Sequence, residues 1–242
     1  MIRGFTKKIN VHNIALLLCF ITLILVVYVL CKTNESFFGS KNNFDSAKYW
    51  EKRYATCDNS GLGSYGKFAE YKAKFINKFV VNNGISSVIE FGVGDGAQLK
   101  LANYPSYIGV DVSNTILRKV SKTFASDNTK TFMHTSEYKG EKCDLAMSLD
   151  VIFHLVEDDV FNEHMQSLFD ASTRFVIIYS SNIDFNQTSK HVRHHEFTKW
   201  ISKNAPKWKL AYHERNPFYC DPKKNQCKTN DKSFANFFVF SK

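Results

Sequence analysis

Proline is scarce in this chain, with four residues at positions 105, 206, 217 and 222 of 242, so long regular elements are permitted between them. Internal repeats and low-complexity tracts are absent, which excludes a collagen or a coiled coil. Hydrophobic residues make up 44% and charged residues 23%; these are globular values, and neither a disulfide-only miniprotein nor a disordered tail fits them. Charge is missing altogether from residues 14–31 (IALLLCFITLILVVYVLC). One such run excludes a multispanning membrane protein.

Acidic residues are missing from residues 1–13, which carry Arg3, Lys7 and Lys8 and a net charge of +3. Residues 14–189 sum to −2 and residues 190–242 to +8, so the overall +9 is not spread along the chain. The basic start is therefore a matter of membrane topology, and only the last block remains for a substrate.

Eighteen uncharged helical residues span about 27 Å, and residues 11–13 extend them to the ~30 Å of a hydrocarbon core. A buried core helix would show polar residues at 3.6 spacing, yet only Thr22 interrupts the run. A cleavable signal peptide has a shorter apolar core and small residues before the cut, whereas this run exits through Tyr28-Val29-Leu30-Cys31. An uncleaved anchor is expected. Arg3, Lys7 and Lys8 precede it, and Lys32, Glu35 and Lys41 follow, so the tail belongs in the cytosol. The expected layout is a cytosolic tail at 1–13, a transmembrane signal anchor at 14–31, a polar stem at 32–47 and one domain at 48–242. That makes a single-pass type II protein, in contact with a lipid bilayer, with its domain in the lumen of the Golgi or endoplasmic reticulum.

Cys220 and Cys227 bracket a short polar loop that a disulfide can close in that compartment. Cys57 and Cys143 read as free thiols. Asn34-Glu35-Ser36 and Asn186-Gln187-Thr188 are N-glycosylation sequons.

Beyond the stem the pattern alternates. Residues 67–82 place Phe68, Tyr71, Phe75 and Phe79 at helical spacing, and 157–171 do the same with Val160, Met165, Leu168 and Phe169. Short apolar runs at 87–91, 106–112, 143–149 and 174–179 read as strands. Together they predict an α/β fold with a doubly wound, mostly parallel sheet. Residues 208–214 and 234–240 read as a C-terminal antiparallel hairpin joined through the Cys220–Cys227 loop.

The first strand runs into Glu90-Phe91-Gly92-Val93-Gly94-Asp95-Gly96, followed by a helix-like AQLKLA. Glycines at 92, 94 and 96 let the backbone turn sharply beside a ligand, with amides exposed near a helix N-terminus. A tight strand-to-helix turn alone would use glycine in the same way. Asp111, 19 residues after Gly92 at the end of the next strand, is placed for ribose hydroxyls, and the pair points to an adenosine-containing cofactor.

Glu90–Gly96, Gly109-Val110-Asp111 and residues 143–154 (CDLAMSLDVIFH) resemble the glycine-rich, second-strand and fourth-strand motifs of class I S-adenosylmethionine-dependent methyltransferases. A nicotinamide-binding GxGxxG would have its third glycine one place later. The resemblance runs from about Tyr49 to the C-terminus. It implies that S-adenosylmethionine is the cofactor, that Glu90, Gly92, Gly94 and Gly96 cradle it, that Asp111 holds its ribose and that Asp127 faces its adenine. It also implies an aromatic lid at Tyr49-Trp50-Glu51-Lys52-Arg53-Tyr54 and a site at Asp150, the carboxyl end of the fourth strand.

Methyl transfer to a hydroxyl needs alignment and a base. Asp150, His154, His191 and His194 are the candidate catalytic residues; the alternative for His154 is a packing role. Asp150, His154 and the 191–196 cluster also have side chains that suit a divalent metal, but no tight ligand spacing on one element supports it, and no metal is expected. Tyr65, in the Ser64-Tyr65-Gly66 loop, either stacks on a sugar or shapes the cofactor mouth.

A tail, span, stem and luminal methyltransferase domain suggest O-methylation of a glycan or glycoconjugate hydroxyl. The alternatives are a lipid, small-molecule or protein acceptor, or an inactive binding module of the same fold. A nucleic-acid substrate is not expected behind a membrane anchor, and the basic C-terminal region reads as a solvated face or a site for acidic glycans.

Overall fold

Strands of four to nine residues, apolar except in the half-exposed edge strand β3, are β1 (Val88–Phe91), β2 (Tyr107–Asp111), β3 (Lys130–His134), β4 (Cys143–Leu149) and β5 (Ser172–Ser180). Shorter β6 (Phe185–Asn186) and β7 (Arg193–His194) pair separately, and β8 (Lys209–Glu214) and β9 (Asn236–Ser241) close the chain. The helices are α1 (Ser46–Ala55), α2 (Gly66–Asn82), α3 (Asn114–Thr123), α4 (Asp158–Ala171) and α5 (Phe197–Asn204). The structure is a computed structural model and describes residues 44–56, 59–186, 189–224, 227 and 230–242. The expected span, the stem up to residue 43, Asn34 and Cys57 lie outside the described residues. Among those described, no helix is long and apolar enough to cross a membrane.

Seven strands form one sheet in the order β3-β2-β1-β4-β5-β9-β8. Strands β1 to β5 are mutually parallel, whereas β9 is antiparallel to both β5 and β8. The expected doubly wound sheet and terminal hairpin are both present, and a Cys220–Cys227 disulfide closes a turn in the β8–β9 connection. Cys143 is a buried free thiol.

Both faces of the sheet are covered, which explains why its central strands read as unbroken apolar runs. Side chains alternate across β5: Val176 and Ile178 pack with Met165, Leu168 and Phe197 of α4 and α5, while Ile177 and Tyr179 pack with Ile76 and Val80 of α2. Helix α3 meets α1 through Ile116, Val120 and Tyr54. Its start is capped by Ser113 Oγ, which accepts from the amide of Ile116.

One expectation fails. The AQLKLA stretch after the glycine turn is a single 3-10 turn at Leu99–Leu101, without an α-helix. Residues 92–106 separate β1 from β2, and of these only Leu99–Leu101 are helical. Helix α2, which precedes β1, supplies the packing on that face instead.

Phe237 of β9 is fully buried, stacked on Phe75 of α2 at 4.0 Å and tilted against Tyr179 at 4.6 Å. Phe237→Ala is expected to lower unfolding free energy by about 3–5 kcal/mol, as read by urea denaturation, with the sheet order unchanged.

Candidate active site

Parallel strands deliver their carboxyl ends to one edge, and a cavity opens there between β1, β2 and β4 and beneath α1. Glu90, Gly92, Gly94 and Asp111 line it, as do Asp150 and His154.

The glycine turn is demanded by the protein around it. Gly92 (φ 93°) and Gly94 (φ 58°) are left-handed. A Cβ at Gly92 would stand 2.4 Å from Val151 Cγ2, and one at Gly94 2.4 Å from Ser60 Oγ. Gly96 does not line the cavity. Its missing Cβ faces Phe124 and Val120 on the α3 side, so its expected place beside the cofactor is corrected to a packing position.

Asp111 is buried and bridges two backbone segments. Its Oδ2 accepts the Gly94 amide at 3.0 Å, and its Oδ1 accepts the Ser113 amide at 3.0 Å. Burial raises its pKa against these hydrogen bonds. Glu90, also buried, accepts from Tyr107 Oη at 2.7 Å. Burial raises it to about 7, although the Tyr107 hydrogen bond and the Lys72 charge pull the other way. Gln98 donates through Nε2 to the Ala69 carbonyl at 3.1 Å, while its buried Oε1 has no partner among the described residues.

Helix α1 forms the roof, as the aromatic lid segment suggested: Trp50 and Tyr54 line the cavity. Glu51 fastens the roof to the start of α3, accepting from Ser113 Oγ at 2.5 Å and Thr115 Oγ1 at 2.6 Å. Ser60 fastens the following loop to the glycine turn. Its Oγ accepts the Asp95 amide at 2.8 Å, its amide donates to Asp95 Oδ2 at 3.0 Å, and Tyr65 Oη donates to the same carboxylate oxygen. Tyr65 thus shapes the mouth through Asp95.

Asp150 ends β4 with φ 59°, the one left-handed non-glycine residue among those described. Its carboxylate pairs at 2.7 Å with Lys72 Nζ on α2, whose side chain is 1% exposed. With one carboxylate oxygen committed to Lys72, Asp150 fixes the geometry of the turn after β4.

The three histidine candidates separate. His154 lines the cavity, edge-on to Trp50 at 4.9 Å. Its Nδ1 lies 2.8 Å from the His191 carbonyl, which can only accept, so the proton sits on Nδ1 and Nε2 keeps a lone pair. Burial lowers its pKa to about 4. His191 contributes that carbonyl, and its ring stacks on Tyr49 at 4.9 Å outside the cavity lining. His194 is corrected: it is fully buried behind Phe153, 2.6 Å from Ser181 Oγ, and away from the cavity. The 191–195 segment is a strap over the loop after β4, with Arg193 Nη1 donating to the Val156 carbonyl and His195 Nε2 to that of Leu155.

Asp127 is also corrected. It lies in the turn before β3, at the opposite edge of the sheet from the cavity, and pairs with Lys130 and Thr129. Thr135, immediately after β3, lines the cavity instead. Among the described residues no group of three His, Cys, Asp or Glu side chains is arranged to hold a metal.

Sequence reasoning missed Lys72, Gln98, Ser60 and His164. Lys72 carried a signal: Phe68, Lys72, Ile76 and Val80 recur every fourth residue on the buried stripe of α2, and a lysine there has to be paired. His164 lines the cavity from α4 and lies 2.9 Å from Ser148 Oγ.

No family model matches the chain and no curated protein matches its sequence. Solved structures do match its fold. The N-methyltransferase NodS from Bradyrhizobium japonicum WM9, in complex with S-adenosyl-L-homocysteine, is 14% identical with a TM-score of 0.63, over 82% of this chain and 98% of that one. Magnesium protoporphyrin IX methyltransferase from Synechocystis PCC 6803, with bound S-adenosylmethionine, is 16% identical with a TM-score of 0.58, over 84% and 100%. The methyltransferase domain of bacterial CtHen1 is 18% identical with a TM-score of 0.54, over 75% and 98%. The chain has the Rossmann-like fold of S-adenosylmethionine-dependent methyltransferases.

The buried ionisable groups set a pH dependence. His154, His164 and His194 shift from 6.5 to about 4 on folding, so stability falls as pH drops from 6.5 towards 4. Glu90, raised from 4.5 to about 7, acts oppositely and gains stability as pH falls from 7 to 4.5. Three groups outweigh one: thermal unfolding followed by circular dichroism should show a lower Tm at pH 5 than at pH 7, and Glu90→Gln should steepen that loss.

Proposed function

We propose that this protein is a membrane-anchored S-adenosylmethionine-dependent methyltransferase that O-methylates a hydroxyl of a glycan or glycoconjugate in the secretory pathway. The observation that carries the cofactor reading is Asp111, a buried carboxylate held across the left-handed Gly92–Gly94 turn and facing a cavity beneath aromatic residues. Gln98 Oε1, buried and unpartnered on the same cavity, is an acceptor still waiting for a donor, and S-adenosylmethionine carries one in its ammonium group. The residues fit the cofactor. Asp111 holds the ribose hydroxyls, Gly92 and Gly94 let the turn pass close, and Trp50 and Tyr54 exclude water. Bound there, S-adenosylmethionine supplies a methyl group on a positively charged sulfur.

His154 supports a hydroxyl acceptor. Its Nδ1 proton is committed to the His191 carbonyl, which leaves Nε2 free to take the hydroxyl proton, and burial keeps the ring neutral. With a pKa of about 4 it is a weak base. It is therefore suited to an acceptor whose proton leaves as the new O–C bond forms, and Asp150, tied to Lys72, keeps the neighbouring turn in place.

The glycan reading rests on the tail, span and stem of residues 1–47, together with the Cys220–Cys227 disulfide, a bond of oxidising compartments. Calorimetry with S-adenosylmethionine should give binding for the full chain and a loss of at least about tenfold for Asp111→Ala, consistent with losing hydrogen bonds to a charged group. Equal affinity in both would remove the role assigned to Asp111, and no binding by either would remove the cofactor assignment and favour the inactive module.

In cells, glycosidase treatment should shift the mobility of the wild type, and Asn34→Gln with Asn186→Gln should abolish that shift. Mass spectrometry of glycans, lipids and proteins should show one class losing a single methylene in mass when the gene is removed. Loss from lipids or proteins alone would replace the glycan acceptor.

A further inference from the structure

Arg53 stands at the edge of the cavity on α1, between Trp50 and Tyr54, which both line it. The side chain is half-buried, and its guanidinium lies 5.4 Å over the Trp50 ring. Nε donates to the Asn59 carbonyl at 2.8 Å and Nη1 to Tyr49 Oη at 3.4 Å. A guanidinium has five N–H donors in a planar fork, so three remain along its Nη1–Nη2 edge. Arg174 and Arg193 meet the carboxylates of Asp144 and Asp158, whereas Arg53 makes no ion pair among the described residues.

The same edge carries His154, the candidate base. Its ring lies 4.9 Å from that of Trp50 and stacks at 5.6 Å on that of His191, which stacks in turn on Tyr49. Arg53 reaches both ends of this aromatic strip, Trp50 through the ring face and Tyr49 through the hydroxyl. Its charge is felt by both histidines: burial lowers the pKa of each, and Arg53 lowers both further. These rings are all partly exposed. Such a strip suits the face of a sugar ring, and a cation with spare donors at its edge suits an oxyanion on that sugar.

We propose that Arg53 recognises an oxyanion of the acceptor, a carboxylate or a sulfate ester, so that the substrate is an acidic glycan methylated on a hydroxyl near that group. This rests on the glycan O-methyltransferase reading and names the acceptor class within it. The Nη1–Nη2 edge takes the oxyanion, the Tyr49–His191 pair takes the sugar face, and His154 Nε2 meets the hydroxyl. A bound oxyanion also offsets the guanidinium charge, which makes His154 a stronger base in the complex than in the free protein. Turnover is thereby coupled to the acidic acceptor.

The test takes glycans from cells lacking the gene, which hold the unmethylated acceptor, and incubates them with the full chain and S-adenosylmethionine labelled in its methyl group. Labelled product should be retained by an anion exchanger. Carboxyl reduction or desulfation of the glycans beforehand should abolish labelling, and whichever does so identifies the oxyanion. Arg53→Gln should raise KM for these glycans about ten- to a hundredfold, the scale of hydrogen bonds to a charged group, with kcat changed less. Arg53→Lys, which keeps the charge without the fork, should recover part of the loss. Affinity of both variants for S-adenosylhomocysteine, read by calorimetry, should stay within about twofold of wild type, which a merely roof-fastening arginine would not allow. Should Arg53→Gln fail to fold, Arg53→Lys and the treated glycans decide. Label in neutral glycans, label that survives both treatments, or an equal loss of S-adenosylhomocysteine binding would overturn the proposal while leaving glycan methylation standing. A wild type that labels no glycan would overturn both.

Discussion

A buried lysine cannot be left alone, and the ion pair between Lys72 and Asp150 ties the precursor helix α2 to the carboxyl edge of the sheet. Breaking it strands a charge in a site where water is scarce, so α2, β4 and the turn after it hold one another in place. Asp150 accepts a left-handed backbone that costs most residues about 1–2 kcal/mol, a conformation short polar side chains tolerate best.

Around that anchor the cavity is built from reciprocal contacts. The glycine turn is narrow because Val151 and Ser60 press against it, and Ser60 is held in turn by Asp95 from the turn itself. Roof and floor are similarly joined by Glu51, whose carboxylate gathers Ser113 and Thr115 at the start of α3. Asp111 accepts the Ser113 amide, so this buried carboxylate and the roof helix share a partner. The three histidines of the 191–195 strap serve this architecture, and the imidazoles that line the cavity are those of His154 and His164.

How much of this was legible depended on whether the signal was local. Periodicity located α2, α4 and the buried strands because parallel strands covered on both faces are continuous apolar runs. The paired spacing of Gly92 and Asp111 located half the site, since β1 and β2 are neighbours in both chain and sheet. Asp127 was misplaced because spacing alone does not tell which end of a strand a turn occupies. His194 was misplaced because a histidine after a strand can point to either layer. Lys72 and Gln98 went unseen because their partners are distant in sequence, although a lysine on an apolar stripe was a readable oddity. After Gly96 the chain makes only a single turn in the short interval before β2.

That short interval has a kinetic meaning. Loop-closure entropy grows with the length of chain enclosed, and β1 and β2 enclose only residues 92–106 between them. Glu90, the glycine turn and Asp111 therefore come together over a small loop, while β9 must travel back past α5 and β8 to reach β5. Low contact order favours early formation. The side of the cavity lined by Glu90, the glycine turn and Asp111 is the part of this fold that a nascent chain can assemble first, before the strand that completes the sheet has been synthesised.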